Sequence, residues 1–198
     1  MKWAHVLILN ALISSAYCLA ADPAPQDEAL SRKVDQAALD SQNKAVSQLS
    51  KMISKYRGTA QEPVFLFRLG EIYQQSAALR FRIAHGQAHA NGSKINLSAY
   101  KSEMQKSVET LNQLIGKYKN FPQLAQAYYF RGKAFEELEN KSAATNDYLH
   151  LVKNYPEAYE TIPAYMSLAE FSIEKNDHTK AISYLKKVEE RPAMPQYP

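Results

Sequence analysis

Ala127-Tyr128-Tyr129-Phe130-Arg131-Gly132-Lys133-Ala134-Phe135 decides the fold, read together with Ala144, Tyr148, Leu151 and Pro156 downstream of it. Gly132 and Ala144 are the small residues that let two antiparallel helices approach closely. Tyr128, Phe135, Tyr148 and Leu151 have the size to fill the space around that contact, and Pro156 stops the second helix. Working outward, the pattern Ala-x3-Φ-x2-Φ-x3-Tyr (Φ apolar) recurs. Ala144, Tyr148, Leu151 and Tyr155 form one copy; Ser107, Leu111, Leu114 and Tyr118 form a second; Ala45, Leu49, Met52 and Tyr56 form a third. Ala181, Leu185 and Val188 begin a fourth, whose closing position is Pro192. The steps from 107 to 144 and from 144 to 181 are both 37 residues, while 45 to 107 is 62, one period plus 25. Self-similarity at such a period signals stacked helical hairpins, and arrays of these usually bind other proteins.

This register resembles the tetratricopeptide repeat (TPR) family, whose unit places an aromatic, a glycine, an aromatic, an alanine, an aromatic and a proline at these intervals. Gly70 and Tyr73 match two of the marks in Leu66–Tyr73, and Ala169 replaces the glycine in Tyr165–Phe171. Segment 28–43 has helical composition without those marks and is expected as a degenerate first helix or a cap. The resemblance covers roughly residues 40–192 and is strongest over 121–156. Lys119 departs from it where Pro156 would stand, with Pro122 close behind, and the longer period implies three extra loop residues per unit. Runs such as Lys-Asn-Tyr-Pro-Glu-Ala-Tyr look like the longer-looped repeats of bacterial envelope proteins: the Tol-Pal-associated cell-division coordinator, the barrel-assembly lipoprotein and gliding-motility TPR proteins. The implied fold is all-α, an α-α superhelix of about three and a half antiparallel hairpins, one of them lengthened.

In that family the first helix of each pair lines a concave groove. The resemblance therefore implies partner contacts at fifth positions Phe67, Tyr129 and Met166, ninth positions Glu71, Lys133 and Glu170, and twelfth positions Gln74, Glu136 and Ile173. Such a strip of large side chains flanked by charge suits an extended peptide or a partner helix. The competing reading is that the aromatics are core.

The 25 extra residues fall between Gly70 and Ser107, and the sequence stays helical from Tyr73 to His85, breaks at Ala90-Asn91-Gly92-Ser93 and resumes near Leu97. One hairpin with both helices lengthened, a finger, is expected over about 74–106. It carries Arg80, Arg82, Lys94, Lys101 and Lys106 against Glu103 alone, a candidate basic surface for an acidic partner or an anionic surface. The plainer reading is a solvated helical face. His85 and His89 stand at metal-ligand spacing, but no Cys or acid is near in sequence to complete a site. No metal and no cofactor is expected. Asn91-Gly92-Ser93, Asn96-Leu97-Ser98 and Asn140-Lys141-Ser142 match the glycosylation sequon, a short motif common by chance.

Residues 1–20 read as a secretory signal: Lys2, an apolar stretch from Val6 to Ile13, and Cys18-Leu19-Ala20 before Ala21. That places the protein in the periplasm, with outer-membrane association as a variant. Cys18 is the candidate for a lipid tether, although Tyr17 fits that motif badly; otherwise the mature chain has no cysteine. Residues 21–27, with Pro23 and Pro25, read as a linker, and 28–198 as the repeat domain. No segment after the signal is apolar enough to span a bilayer. A net charge of +4 over 198 residues argues against nucleic acid. No nucleophile–base set, phosphate loop or metal cluster can be assembled, so the expected function is non-catalytic: an envelope scaffold for protein partners in assembly, division or motility. The alternatives are the front of a longer TPR protein, suggested by the loop-like Arg191–Pro198, or an accessory region of an envelope enzyme.

Overall fold

The computed structural model describes residues 25–190. The expectations for the signal, for Cys18 and for the tail after 190 lie outside the described residues. The chain divides into two compact units, Met1–Gln36 and Ala37–Pro198. Of the first, the described part is helical from Pro25 and carries exposed Leu30 and Val34. Pro25 and the two residues after it belong to the stretch expected as a linker.

Seven helices follow one another among the described residues: α1 Pro25–Lys55, α2 Glu62–Asn91, α3 Ser98–Lys117, α4 Leu124–Glu137, α5 Lys141–Asn154, α6 Thr161–Glu174 and α7 His178–Glu189. In the second unit they pair as hairpins α2–α3, α4–α5 and α6–α7, and successive hairpins meet through α3–α4 and α5–α6. This is the α-α repeat architecture expected. The N-terminal copy differs in detail. No separate first helix exists over 28–43, because that stretch runs straight on into the helix bearing Ala45, Leu49 and Met52. No glycine or proline interrupts 28–55, so nothing breaks the helix. Met52 is consequently 41% exposed where its counterpart Leu151 is fully buried, and Ile53 makes the contact with the core instead.

The small residues act as expected. Gly132 and Ala144 are buried at the α4–α5 crossing, with Tyr148 filling the space against Phe171. Gly70 performs the same task for Leu111 between α2 and α3. Each fully buried Leu or Tyr at these sites contributes about 1.5–3 kcal/mol of apolar burial. The 37-residue step is also written in the backbone. Glu139 and Asn176 both take left-handed φ, 62° and 58°, after α4 and α6. The next residues, Asn140 and Asp177, cap α5 and α7 by accepting from Ala143 N–H and Lys180 N–H.

The lengthened hairpin is asymmetric. α2 runs 21 residues beyond Gly70, whereas α4 runs five beyond Gly132; α3 starts nine residues before Ser107, whereas α5 starts three before Ala144. Most of the insertion therefore extends α2, which ends at Gly92 in the left-handed region, φ 61°. The added turns of α3 lie against the next hairpin: Tyr100 and Met104 pack with Ala77, Val108 and Ala134, and the Tyr100 hydroxyl donates to Glu137.

Two polar clasps tie helices together. Glu62, only 1% exposed, accepts from Gly58 N–H, from Lys117 Nζ at 3.0 and 2.8 Å, and from the Tyr118 hydroxyl, closing the base of the first hairpin. Gly58 N–H first, then Lys117 and Tyr118, hold its carboxyl down at about 2. Arg131 donates from Nε to Asp147 Oδ2 at 2.8 Å and from Nη1 to Asn112 Oδ1 at 2.8 Å, joining α3, α4 and α5. One period on, the same three places are held by Leu149, Leu168 and Tyr184.

Candidate functional site

The proposed groove positions sit on α2, α4 and α6, and their accessibility changes along the array. Phe67 is 5% exposed, its ring 5.8 Å from both Phe121 and Phe130. It is core, which corrects the expectation that it meets a partner. Tyr129 is partly buried beside Tyr148, and burial first, then nearby Glu136, pushes its phenol up. Met166, at the same place on the last hairpin, is 48% exposed. The cause is stacking: in the first two hairpins the next one covers the fifth position.

The twelfth positions follow the same rule. Gln74 Nε2 donates to Ser107 Oγ at 3.0 Å and to the Phe130 carbonyl at 2.8 Å, a bond from α2 to α4. Glu136 accepts from the Tyr148 hydroxyl at 2.8 Å and from Ser167 Oγ at 3.3 Å, a bond from α4 to α6. Both are bolts between hairpins rather than contacts held ready for a ligand. Ile173, their counterpart, is 49% exposed. Among ninth positions, Glu71 pairs with Arg68 at 2.9 Å, Lys133 lies 3.5 Å from Glu136, and Glu170 is exposed. Glu71 and Gln74, with Ala78 and Phe130, line a hollow of about 270 Å³. The nine residues thus do not form one continuous strip. Met166, Glu170 and Ile173 stay open on α6, and the rest are taken up in stacking or in ion pairs.

Second helices show the same gradient, which the groove reading had left aside. Leu111 and Tyr148 are fully buried, but Leu185, at the same register on α7, is 44% exposed. Leu114 and Leu151 are fully buried, and Val188 only partly. Ile182 is 55% exposed where Val108 is 2%. The signal was present in the 37-residue register. Recognising it required asking which copy has no successor among the described residues.

The basic finger is partly neutralised. Arg80 pairs with Glu103 at 3.0 Å and Lys106 with the same carboxylate at 3.2 Å, while Lys101 reaches Glu139 at 3.3 Å. Glu139 belongs to the next hairpin, so a count over 74–106 missed it. Arg82 also has an interaction partner. Lys94 stands exposed in the loop 92–97. His85 rests on the Phe81 ring, centroids 4.2 Å apart, and His89 is exposed one turn later. Among the described residues no group of three or more His, Cys, Asp or Glu side chains could hold a metal ion. Nor is any described helix long and apolar enough to cross a membrane.

Residues 162–192 match the tetratricopeptide repeat family model, a stretch that corresponds to the hairpin α6–α7. The match thus falls one period after the copy in which the sequence marks are densest. No curated protein matches the chain significantly. Among solved structures, a MamA RS-1 ArsTM double mutant aligns with a TM-score of 0.40 at 19% identity, over 82% of this chain and 93% of that one.

Proposed function

We propose that this protein is a non-catalytic scaffold of TPR-like hairpins that binds protein partners in the bacterial cell envelope, exported to the periplasm by its N-terminal signal. The observation that carries the reading is the stack of three hairpins whose last, α6–α7, matches the tetratricopeptide repeat and leaves Met166, Glu170 and Ile173 of α6 facing solvent. Repeats of this kind stack along one direction and offer side chains of successive helices to a macromolecule. The envelope assignment rests on the leader sequence 1–20, and a tether at Cys18 is its lipidated variant.

Affinity capture from envelope extract, with the mature chain as bait, tests this. Specific partners should be recovered by the native bait and lost when Met166, Glu170 and Ile173 are replaced by alanine. Capture that is indifferent to the triple change removes α6 as the contact surface. Fractionation of the source cells, with mass spectrometry of the mature N-terminus, tests the address: a cytoplasmic chain that retains Met1 would refute the export reading.

A further inference from the structure

The exposed face of α6–α7, the last hairpin among the described residues, is the third copy of an interface the molecule has already built twice. The face that α2–α3 turns to α4, and α4–α5 turns to α6, uses the fifth and twelfth positions of the first helix and the apolar positions of the second. On the last hairpin these are Met166, Ile173, Ile182, Leu185 and Val188. Four of them are between 44% and 55% exposed. Isolated exposed apolar side chains are ordinary, but four gathered at one register are not. The set is also more apolar than its forerunners: Ile173 replaces the hydrogen-bonding Gln74 and Glu136.

What covers the earlier copies specifies what fits this one. α4 covers the first copy with Ala127, Phe130 and Ala134, and α6 covers the second with Ala164, Leu168 and Phe171. In both, an alanine opens a stripe that continues three or four and then seven residues later, one face of a helix. Ala127 and Ala164 are fully buried, so a small side chain is required there for close approach. We propose that the α6–α7 end face is a docking site for an amphipathic helix of a partner protein, whose stripe begins with alanine and continues with apolar residues at +3 or +4 and +7. Because Ile173 offers no hydrogen bond, that helix presents an apolar side chain, not a hydroxyl or a carbonyl, at the place opposite it. This rests on the scaffold reading and names the kind of partner and the surface it meets.

The probe is a fluorescein-labelled synthetic peptide of the α6 sequence, Glu160–Lys175, whose own Ala164, Leu168 and Phe171 cover the second copy. Fluorescence anisotropy with the full chain should show saturable binding. Leu185→Lys and Ile173→Lys should each weaken it at least about tenfold, since each sets a charge into the apolar contact. Val64→Lys, at an exposed valine on α2 outside this face, should leave it unchanged. A peptide with glutamate in place of Ala164 should not bind. All substituted positions on the protein are exposed, so circular dichroism should report unchanged helix content; a variant that loses helix is replaced by Met166→Lys. Absence of saturation, or equal affinity for Leu185→Lys and the native chain, overturns the proposal. So does velocity sedimentation in which the chain self-associates and Leu185→Lys dissolves the pair, because the face then belongs to a second copy. Partner capture from envelope extract that persists while the peptide fails to bind leaves the scaffold reading intact and removes this site alone. Peptide binding without envelope capture has the converse meaning.

Discussion

A methyl group on Gly132 would stand 2.5 Å from Tyr148 Cε1 and 2.9 Å from Cδ1. The ring is fully buried and its hydroxyl is bound to Glu136, so it has nowhere to go. At Gly70 the same methyl meets Leu111 Cδ2 and Cγ at 2.8 and 2.9 Å, a shallower overlap with an equally buried but non-aromatic side chain that makes no hydrogen bond. Gly132→Ala should therefore destabilise by about 1–3 kcal/mol, and Gly70→Ala by less, with urea denaturation giving the order. An opposite sign is expected at Glu139, whose φ of 62° strains an L side chain. Glu139→Gly should stabilise by about 1 kcal/mol, because the pair it gives up with Lys101 is exposed and weak. Thermal unfolding of the two proteins side by side checks it. Gly132 was legible in the sequence because small residues at a repeated interval have one packing explanation. Phe67 was not. Its motif position belongs to a groove residue, and only the neighbouring Phe121 and Phe130 turn it inward.

The first hairpin is closed at its base by one carboxylate. Glu62 has a folded pKa of about 2, against 4.5 for an ordinary glutamate. A group whose folded pKa is depressed adds stability above its unfolded pKa and loses it as pH falls through the folded one. The clasp should thus be complete above pH 4.5 and vanish progressively toward pH 2. Melting temperature measured across that range should fall in the native protein, and the part of the slope due to this group should be missing in Glu62→Gln. Lys117 stays charged throughout, its own pKa raised first by the bond to Glu62. At the other end of the hairpin, α2 outruns α3: after Ala84 most of its side chains are exposed, with Ala88 the buried exception. Amide hydrogen exchange should accordingly be faster over residues 85–91 than over 66–79; equal protection would mean that something covers the tip. The break near Gly92 could be read from the sequence, since Asn-Gly-Ser interrupts a helical run. The unequal division of the insertion between the two helices could not, because helix length there is set by contacts such as Tyr100 with Glu137.

The stacked unit is held by nearest neighbours, so its stability is shared between adjacent hairpins. Removing residues 161–198 strips the cover from Tyr148 and Leu151, both fully buried against α6 and its neighbours. A chain ending at Glu160 should melt at least several degrees lower than the full chain, by calorimetry. Equal melting would show that α6–α7 lends nothing to α4–α5. At this scale the 37-residue step announced the array, whereas the missing first helix at the N-terminal copy was not announced, because a stretch without glycine, proline or aromatic marks is compatible with either a bent or a straight path. The Arg131 clasp carries a consequence for how such a chain can change. Asn112, Arg131 and Asp147 form a charged join between the first two hairpins, while Leu149, Leu168 and Tyr184, at the same places one period on, line a hollow between the second and third without such a clasp. Exchanging the order of the last two hairpins would set Leu168 against Asn112 and bring Lys186, which holds that register on α7, up to Arg131. The units are alike in outline but keyed at their edges, so this lineage can trade residues within a hairpin more freely than it can shuffle, duplicate or delete whole ones.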